Sequence, residues 1–381
     1  MDHYNILMVY WNNQDVVAAL VGGTLIAIST TLNLYLYGRI TGLSGIFNSV
    51  IRHDLKGGFE WKTTFFLGLL TIPVLAYQIF GSAIVTLNWS FILFDSDLYV
   101  DSKQGMGAWI IGGLLVGWGT RMGNGCTSGH GVCGMPRFAP RSIMAVCTFM
   151  GTGVAMATFR YYVPFFQGGS TFGESYATVW RWTSLVIFLA GLAFAGYLTL
   201  KSTTSKKELL INYGLGLIFG AGLLISGMCK ISKIMGFLTL NEYWDPSLIF
   251  VMMSAVAINV FTFNYILQKV PSPTMLPPGS KYSVPPKGKI DGRLVGGAAI
   301  FGLGWGLSGL CPGPGMVCFF TQDHALIWCI SLAIGQLAFD YTLQAMEKRQ
   351  PNQNNDVGQK QPLLKKEQSN GENYDFAIKQ N

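Results

Sequence analysis

Charge is scarce in this chain. Only 12% of its 381 residues are Asp, Glu, Lys or Arg, and half are apolar, whereas a soluble domain carries about 25% charged residues. The shortage excludes an ordinary water-solvated globule and points to an integral membrane protein. Lys and Arg are missing from the first 38 residues, so the basic segment that opens a cleaved secretion signal is absent, and the first apolar run is expected to stay as a helix. No G-x-x-x-x-G-K-[ST] stretch occurs, which leaves ATP-driven transport by this chain unsupported. The glycine-rich GLGWGLSG lacks the lysine and is weak evidence for phosphate binding.

Glycine is abundant, at 47 residues, and small residues let helices in lipid approach closely. Nine apolar segments are near the ~20 residues that a bilayer core requires: 15–36, 61–84, 104–120, 140–160, 182–200, 209–228, 246–268, 292–308 and 324–346. With loops assigned to alternate sides, 21 of the 26 Lys and Arg fall on one side. The positive-inside rule then places the C-terminus in the cytoplasm, and with nine spans the N-terminus outside, as expected of a plasma-membrane protein. The acidic loop FDSDLYVD lands outside. The stretch 271–290, rich in proline, is expected to be extended, and the polar tail 347–381 to be disordered in the cytoplasm.

The chain repeats itself. At a shift of 185, IGGLLVGWGTRMGNGCTSGHGVC from Ile111 lies on GGAAIFGLGWGLSGLCPGPGMVC from Gly296 without a gap. The match aligns Gly112 with Gly297, Gly119 with Gly304, Cys126 with Cys311 and Cys133 with Cys318. A second match, at a shift of 191, sets Arg39 on Lys230, Thr41 on Ser232 and Gly45 on Gly236. Equivalent helices are five spans apart, so the second half is expected to be inverted, a common plan among transporters with a midplane site. The expected fold is therefore an all-α integral membrane protein of about nine transmembrane helices in two inverted repeats. Residues 1–14 form an external N-terminus, 15–181 the first repeat, 182–208 a linking helix and loop, and 209–346 the second repeat. The segments 38–50, 121–138, 229–240 and 309–320 are too polar or glycine-rich for lipid contact and are expected to be re-entrant, buried in protein. Pro136, Pro140, Pro312 and Pro314 suit helix starts, whose unpaired N–H groups favour anions.

The fragments GCTSGHGVCG, SGMCKISKIMGFL, WDPSLIFVM and GLGWGLSGLCPGPG resemble the YeeE/YedE family of sulfur-compound transporters, and the resemblance runs over roughly residues 15–346. It implies uptake of thiosulfate or a related sulfur-containing anion, with pore cysteines touching the substrate in passing. Carried onto this chain, those cysteines are Cys126 and Cys311, with Cys229 as a third candidate. The first re-entrant segment departs from that pattern, holding Thr41 and Ser44 but no cysteine.

Physical chemistry supports the same assignment less specifically. A sulfur-bearing dianion has one soft atom, and a neutral thiol is a weak donor to it. Burial disfavours a thiolate, which would repel an anion. Cys133 and Cys318 share the repeat register and are candidates for the same path or for packing. Cys147 and Cys329, inside spans, read as small hydrophobes. The C-x6-C spacing does not match zinc sites, and no cofactor or metal is expected. His130 has two readings, donor to an anion or neutral residue bonded to a loop carbonyl. Arg39, Arg121, Lys230 and Lys233 are candidates for attracting anions to the mouths, with positive-inside anchoring as the competing role of Arg39 and Arg121. Asp340 is expected near the cytoplasmic interface.

The leading reading is a permease rather than an enzyme. Its expected partners are the anion, the lipid bilayer and a cytoplasmic sulfur-carrier protein, and no nucleic acid. The alternative is a membrane thiol sulfurtransferase handling a cysteine persulfide, which needs an activating partner beside the cysteine; only His130 is near in sequence. A third class, a membrane scaffold, is disfavoured by the polar buried loops.

Overall fold

The computed structural model describes residues 8–349 apart from 10, 55–57, 81–82, 87–88, 93–104, 164, 167–173, 202–203, 287 and 320–322. The expected tail beyond 349 and the acidic loop lie outside the described residues. The first half contains α1 (Asn13–Tyr37), α2 (Leu43–Ile51), α3 (Phe59–Phe80), α4 (Met106–Met122), the π-wound α5 (Thr127–Gly134) and α6 (Pro140–Tyr162). α7 (Glu174–Lys201) links it to α8 (Lys206–Ile225), α9 (Ile231–Leu238), α10 (Ser247–Lys269), α11 (Gly292–Ser308), α12 (Pro312–Cys318) and α13 (Asp323–Arg349). Among the described residues, extended pairing is confined to β1 (Met8–Val9) with β4 (Tyr243–Trp244), the hairpin of β2 (Ala83–Thr86) and β3 (Trp89–Ile92), and a single bridge between Arg39 and Ser283. The chain is an all-α, multi-pass integral membrane protein.

Local chemistry sets the helix ends. The Asn12 side chain caps α1 by accepting from Gln14 N–H, and Gly38 closes it in the left-handed region at φ 67°. Asp291 caps α11 through Leu294 N–H, and Gly309 closes it at φ 68°. Pro140 and Pro312 open α6 and α12, where the absent N–H has no partner to lose.

Helices occupy all nine expected segments, but among the described residues length and hydropathy return six spans, or seven if α11 and α12, bent by 41°, count as one. The difference lies partly in α4 and α11. Each has 17 residues, about 25 Å at 1.5 Å per residue, which is short of a roughly 30 Å hydrocarbon core. Each ends at a glycine, Gly123 or Gly309, at the break before its short helix.

The helices related by the repeat run in opposite directions where they meet. α4 and α11 cross at glycines: a Cβ on Gly304 would stand 2.7 Å from the Gly112 carbonyl oxygen, and one on Gly119 would stand 2.7 Å from the Gly297 oxygen. These two contacts exchange under the repeat, with the chains antiparallel, which is the packing of inverted halves. The halves also interlock. α3 packs on α8 as α10 packs on α1, and α4 packs on α13 as α11 packs on α6.

At the first re-entrant pair the structure corrects the register. Gly42 precedes α2 as Lys230 precedes α9, a shift of 188 rather than 191. Thr41 therefore stands where Cys229 stands. The 191 match follows chemical likeness of Arg39 to Lys230, whereas the helix starts follow backbone geometry.

The stretch from 270 to 291 contains no helix among its described residues. It crosses the C-terminal end of α1, with Thr274, Met275 and Ser283 N–H donating to the carbonyls of Tyr35, Leu36 and Gly38. Arg137 and Arg141 hold the carbonyls of Pro285 and Lys289.

Candidate functional site

Four short helices, α2, α5, α9 and α12, occupy the interior that the sequence assigns to re-entrant segments. Polar side chains position them inside a largely apolar bundle, where an unpaired polar group is costly. Asn33 donates to Thr41 Oγ1 at 2.8 Å. Asn48 donates to Gln336 Oε1 at 3.3 Å, and Gln336 in turn donates to the Ser44 carbonyl at 3.2 Å. Asn259 donates to the Val132 carbonyl at 2.8 Å. Asn33, Asn259 and Gln336 are fully buried, so these bonds fix α2 and α5 to the long helices around them.

Cys126 and Cys311 occupy equivalent places, each the extended residue just before its short helix. Both are buried. Cys126 Sγ lies 3.2 Å from Ser128 Oγ, which also accepts from Leu43 N–H at 3.0 Å. Cys311 faces the Thr127 side chain and lies close to Cys126. Two thiols and two hydroxyls thus converge where the segments from the two repeats meet. Beside them is a cavity of about 30 Å³, lined by Thr127, Ser128, Met228, Met252, Gly313 and Pro314 among others.

The remaining sequence candidates are placed differently. Cys133 and Cys318 donate to backbone carbonyls, of Thr41 at 3.7 Å and Cys229 at 3.5 Å. These contacts are repeat-related and brace one short helix against the next. Cys229 Sγ is turned to the Leu223 carbonyl at 3.6 Å, while its neighbour Met228 lines the cavity. His130 sets Nε2 3.1 Å from the Gly123 carbonyl and Nδ1 3.2 Å from Ser142 Oγ. A neutral ring with its proton on Nε2 satisfies both, which fits the second of its two readings. Cys329 is buried, and Cys147 is exposed on α6 rather than packed inside; a thiol facing lipid carries little cost.

Three of the four basic candidates are engaged by carboxylates. Arg39 pairs with Glu208 at 2.8 Å and lies over the Trp61 ring at 4.7 Å. Arg121 and Arg52 share Asp340 at 2.7 and 3.0 Å. Asp340 is 7% exposed, so the expected solvated interface position gives way to a buried one between two guanidinium groups. Lys233 lies between Asp15 and Asp245. The trio of Arg52, Arg121 and Asp340 keeps one net positive charge, while Lys233 with its two carboxylates has one net negative charge. Lys230 stands at the start of α9. Among the described residues, no group of three or more His, Cys, Asp or Glu could hold a metal ion.

Sequence reasoning passed over Thr127, Ser128, Met228 and Met252. The two hydroxyls were legible as the residues directly after Cys126. The methionines carry no such signal, because their role depends on α8 and α10 converging on α5.

A helical membrane bundle with inverted halves around interrupted helices is a plan common among transporters. Residues 13–156 match the model of the sulphur transport family, and residues 207–351 match a family of unknown function, DUF6691. A probable transporter from Xylella fastidiosa strain Temecula1 is 40% identical over 143 residues, covering 37% of this chain and 91% of the relative. One from strain 9a5c is 38% identical over 143 residues, with the same coverage. A further probable transporter from Temecula1 is 37% identical over 127 residues, 33% of this chain and 83% of the relative. The chain belongs to the YeeE/YedE-type sulphur transport family.

Proposed function

We propose that this sulfur transporter is a permease for thiosulfate or a closely related anion, admitted past Cys126 and Cys311 by weak S–H hydrogen bonds. The observation that carries the reading is the convergence of these two repeat-related thiols with Thr127 and Ser128 beside a cavity. Neutral thiols and hydroxyls can donate to an anion without covalent chemistry. The sulfurtransferase alternative needs a base at the cysteine, and His130 is occupied by Gly123 and Ser142 instead. The repeats 15–181 and 209–346 form the transport unit, with the N-terminus outside, the linker and tail in the cytoplasm, and a cytoplasmic sulfur-carrier protein as the receiver.

The test is uptake by proteoliposomes of thiosulfate labelled separately on its two sulfur atoms. Both labels are expected inside in equal amount with no sulfur left on the protein. Persulfide on Cys311 at the stoichiometry of turnover, with sulfite outside, would replace the permease by the sulfurtransferase.

A further inference from the structure

The cavity beside the cysteines is small, about 30 Å³, and lined mainly by apolar side chains, so an anion of thiosulfate size passes in contact with them. Of its lining, Ile26, Leu43, Ser128, Val132, Phe219 and the rest are buried; only Thr127, Met228 and Met252 are partly exposed. With Thr127, the two methionines are therefore the least buried of the lining. Met252 lies in the first two turns of α10 and Met228 follows the C-terminal end of α8. Both are toward the face where β4 pairs with the N-terminal β1.

These are also the side chains best able to move. Methionine is unbranched, has three rotatable bonds and carries a polarizable thioether. The Met252 methyl lies against the bare backbone of Gly131, where an added Cβ would stand 2.7 Å from it. Glycine there leaves room for that methyl. Met228 follows Gly227, which sits in the left-handed region at φ 77°, so its backbone turns sharply out of α8.

We infer that Met228 and Met252 form a soft gate on the path from the N-terminal face to Cys126 and Cys311, and that this gate selects sulfur-ended anions over sulfate. The proposal rests on the permease reading. A terminal sulfur is large, polarizable and weakly hydrated, so it can lie against thioether and aliphatic walls while the oxygens of the same ion meet Thr127 and Ser128. Sulfate presents oxygens in every direction. Those facing the methionines would lose water without gaining a donor, which is costly.

The experiment combines accessibility with selectivity in the full-length protein. A charged, membrane-impermeant methanethiosulfonate is applied from the N-terminal face, and modification of Cys126 and Cys311 is followed by mass spectrometry. The double variant Met228→Ala/Met252→Ala should react about tenfold faster or more, the change expected when a barrier falls by about 1.4 kcal/mol. Sulfate should compete with thiosulfate uptake in that variant and not in the parent. Met228→Leu/Met252→Leu keeps bulk without the flexible thioether; it should react as slowly as the parent and transport more slowly. With thermal unfolding of both variants matching the parent, unchanged cysteine reactivity in the alanine variant would overturn the proposal. So would faster reactivity without sulfate competition. Faster reactivity in a protein whose parent form moves no thiosulfate would keep the gate and remove the permease reading.

Discussion

Gly304 rests on Gly112: a Cβ at position 304 would stand 2.7 Å from the Gly112 carbonyl oxygen and 2.8 Å from the Val116 nitrogen. Backbone cannot yield as a side-chain tip can. Gly304→Ala is therefore expected to destabilise the bundle by about 1–3 kcal/mol, the usual cost of overpacking. Gly151→Ala meets nothing within 4 Å and should be neutral or slightly stabilising, since alanine is favoured over glycine in helices by about 1 kcal/mol. Thermal unfolding in detergent compares the two, and equal melting temperatures would refute the close crossing of α4 and α11.

Cys126→Ala and Cys311→Ala should each remove most thiosulfate uptake, whereas Cys147→Ala, on the exposed face of α6, should leave it intact. Cys311→Ser should retain more uptake than Cys311→Ala, because a hydroxyl still donates. The gap should be modest, as a neutral hydrogen bond contributes roughly 0.5–1.5 kcal/mol. Equal loss in all variants at normal membrane abundance would show that the thiols serve packing.

Asp340 neutralises part of two guanidinium groups, so Asp340→Ala leaves Arg121 and Arg52 facing each other. Breaking a buried pair costs about 3–5 kcal/mol, and the lower end is expected here because the Arg52 side chain is 41% exposed. Replacing Arg121 with Leu in the same chain should recover part of the loss. A double-mutant cycle on unfolding would reveal a coupling near zero if the trio were only a surface contact.

Asp291 lies outside the spans as the cap of α11. Burial raises its carboxyl, but the Leu294 N–H and Arg141 outweigh that and hold it below the usual 3.8. A depressed carboxyl stabilises the fold above its unfolded pKa, and that contribution disappears as pH falls through the folded value. Asp291→Ala should cost about 0.5–1 kcal/mol at neutral pH, the lower part of the range for a cap. The difference from the parent should begin to shrink below about pH 4 and vanish only once the pH has fallen through the lower folded value. A difference unchanged in acid would mean that the carboxylate is not the capping group.

Single cysteines introduced into a chain without native surface thiols should report the N-terminus and residue 243 on the outer side, and residue 281 on the inner side. The expectation rests on the distribution of basic residues and on β1 pairing with β4. Reaction of residue 281 with an impermeant reagent in intact cells would reverse the assignment.

Much of this architecture was legible because the constraint is simple. Scarce charge and nine apolar runs define the class, and a gap-free match of Cys126 to Cys311 reveals the inverted halves. The four re-entrant segments could be read because glycine and polar residues at that depth have no other tolerable place. The 191 match failed by three residues because side-chain likeness and helix starts diverge between Arg39 and Thr41. The roles of Cys133 and Cys318 as braces depend on carbonyls far away in sequence. So does the capture of Arg39, Arg121 and Lys233 by carboxylates, for instance Arg39 by Glu208, 169 residues away.

The placing of Cys126 and Cys311 on the proposed path through the bundle has an electrical consequence: a dianion passing them crosses the membrane voltage. Moving one charge through 100 mV takes about 2.3 kcal/mol, so a dianion entering a negative interior works against about 4.6 kcal/mol. At equilibrium that voltage alone would hold the inner concentration more than about a thousandfold below the outer one. Sustained entry therefore calls for chemistry on the inner side that consumes the ion, or for cations that travel with it.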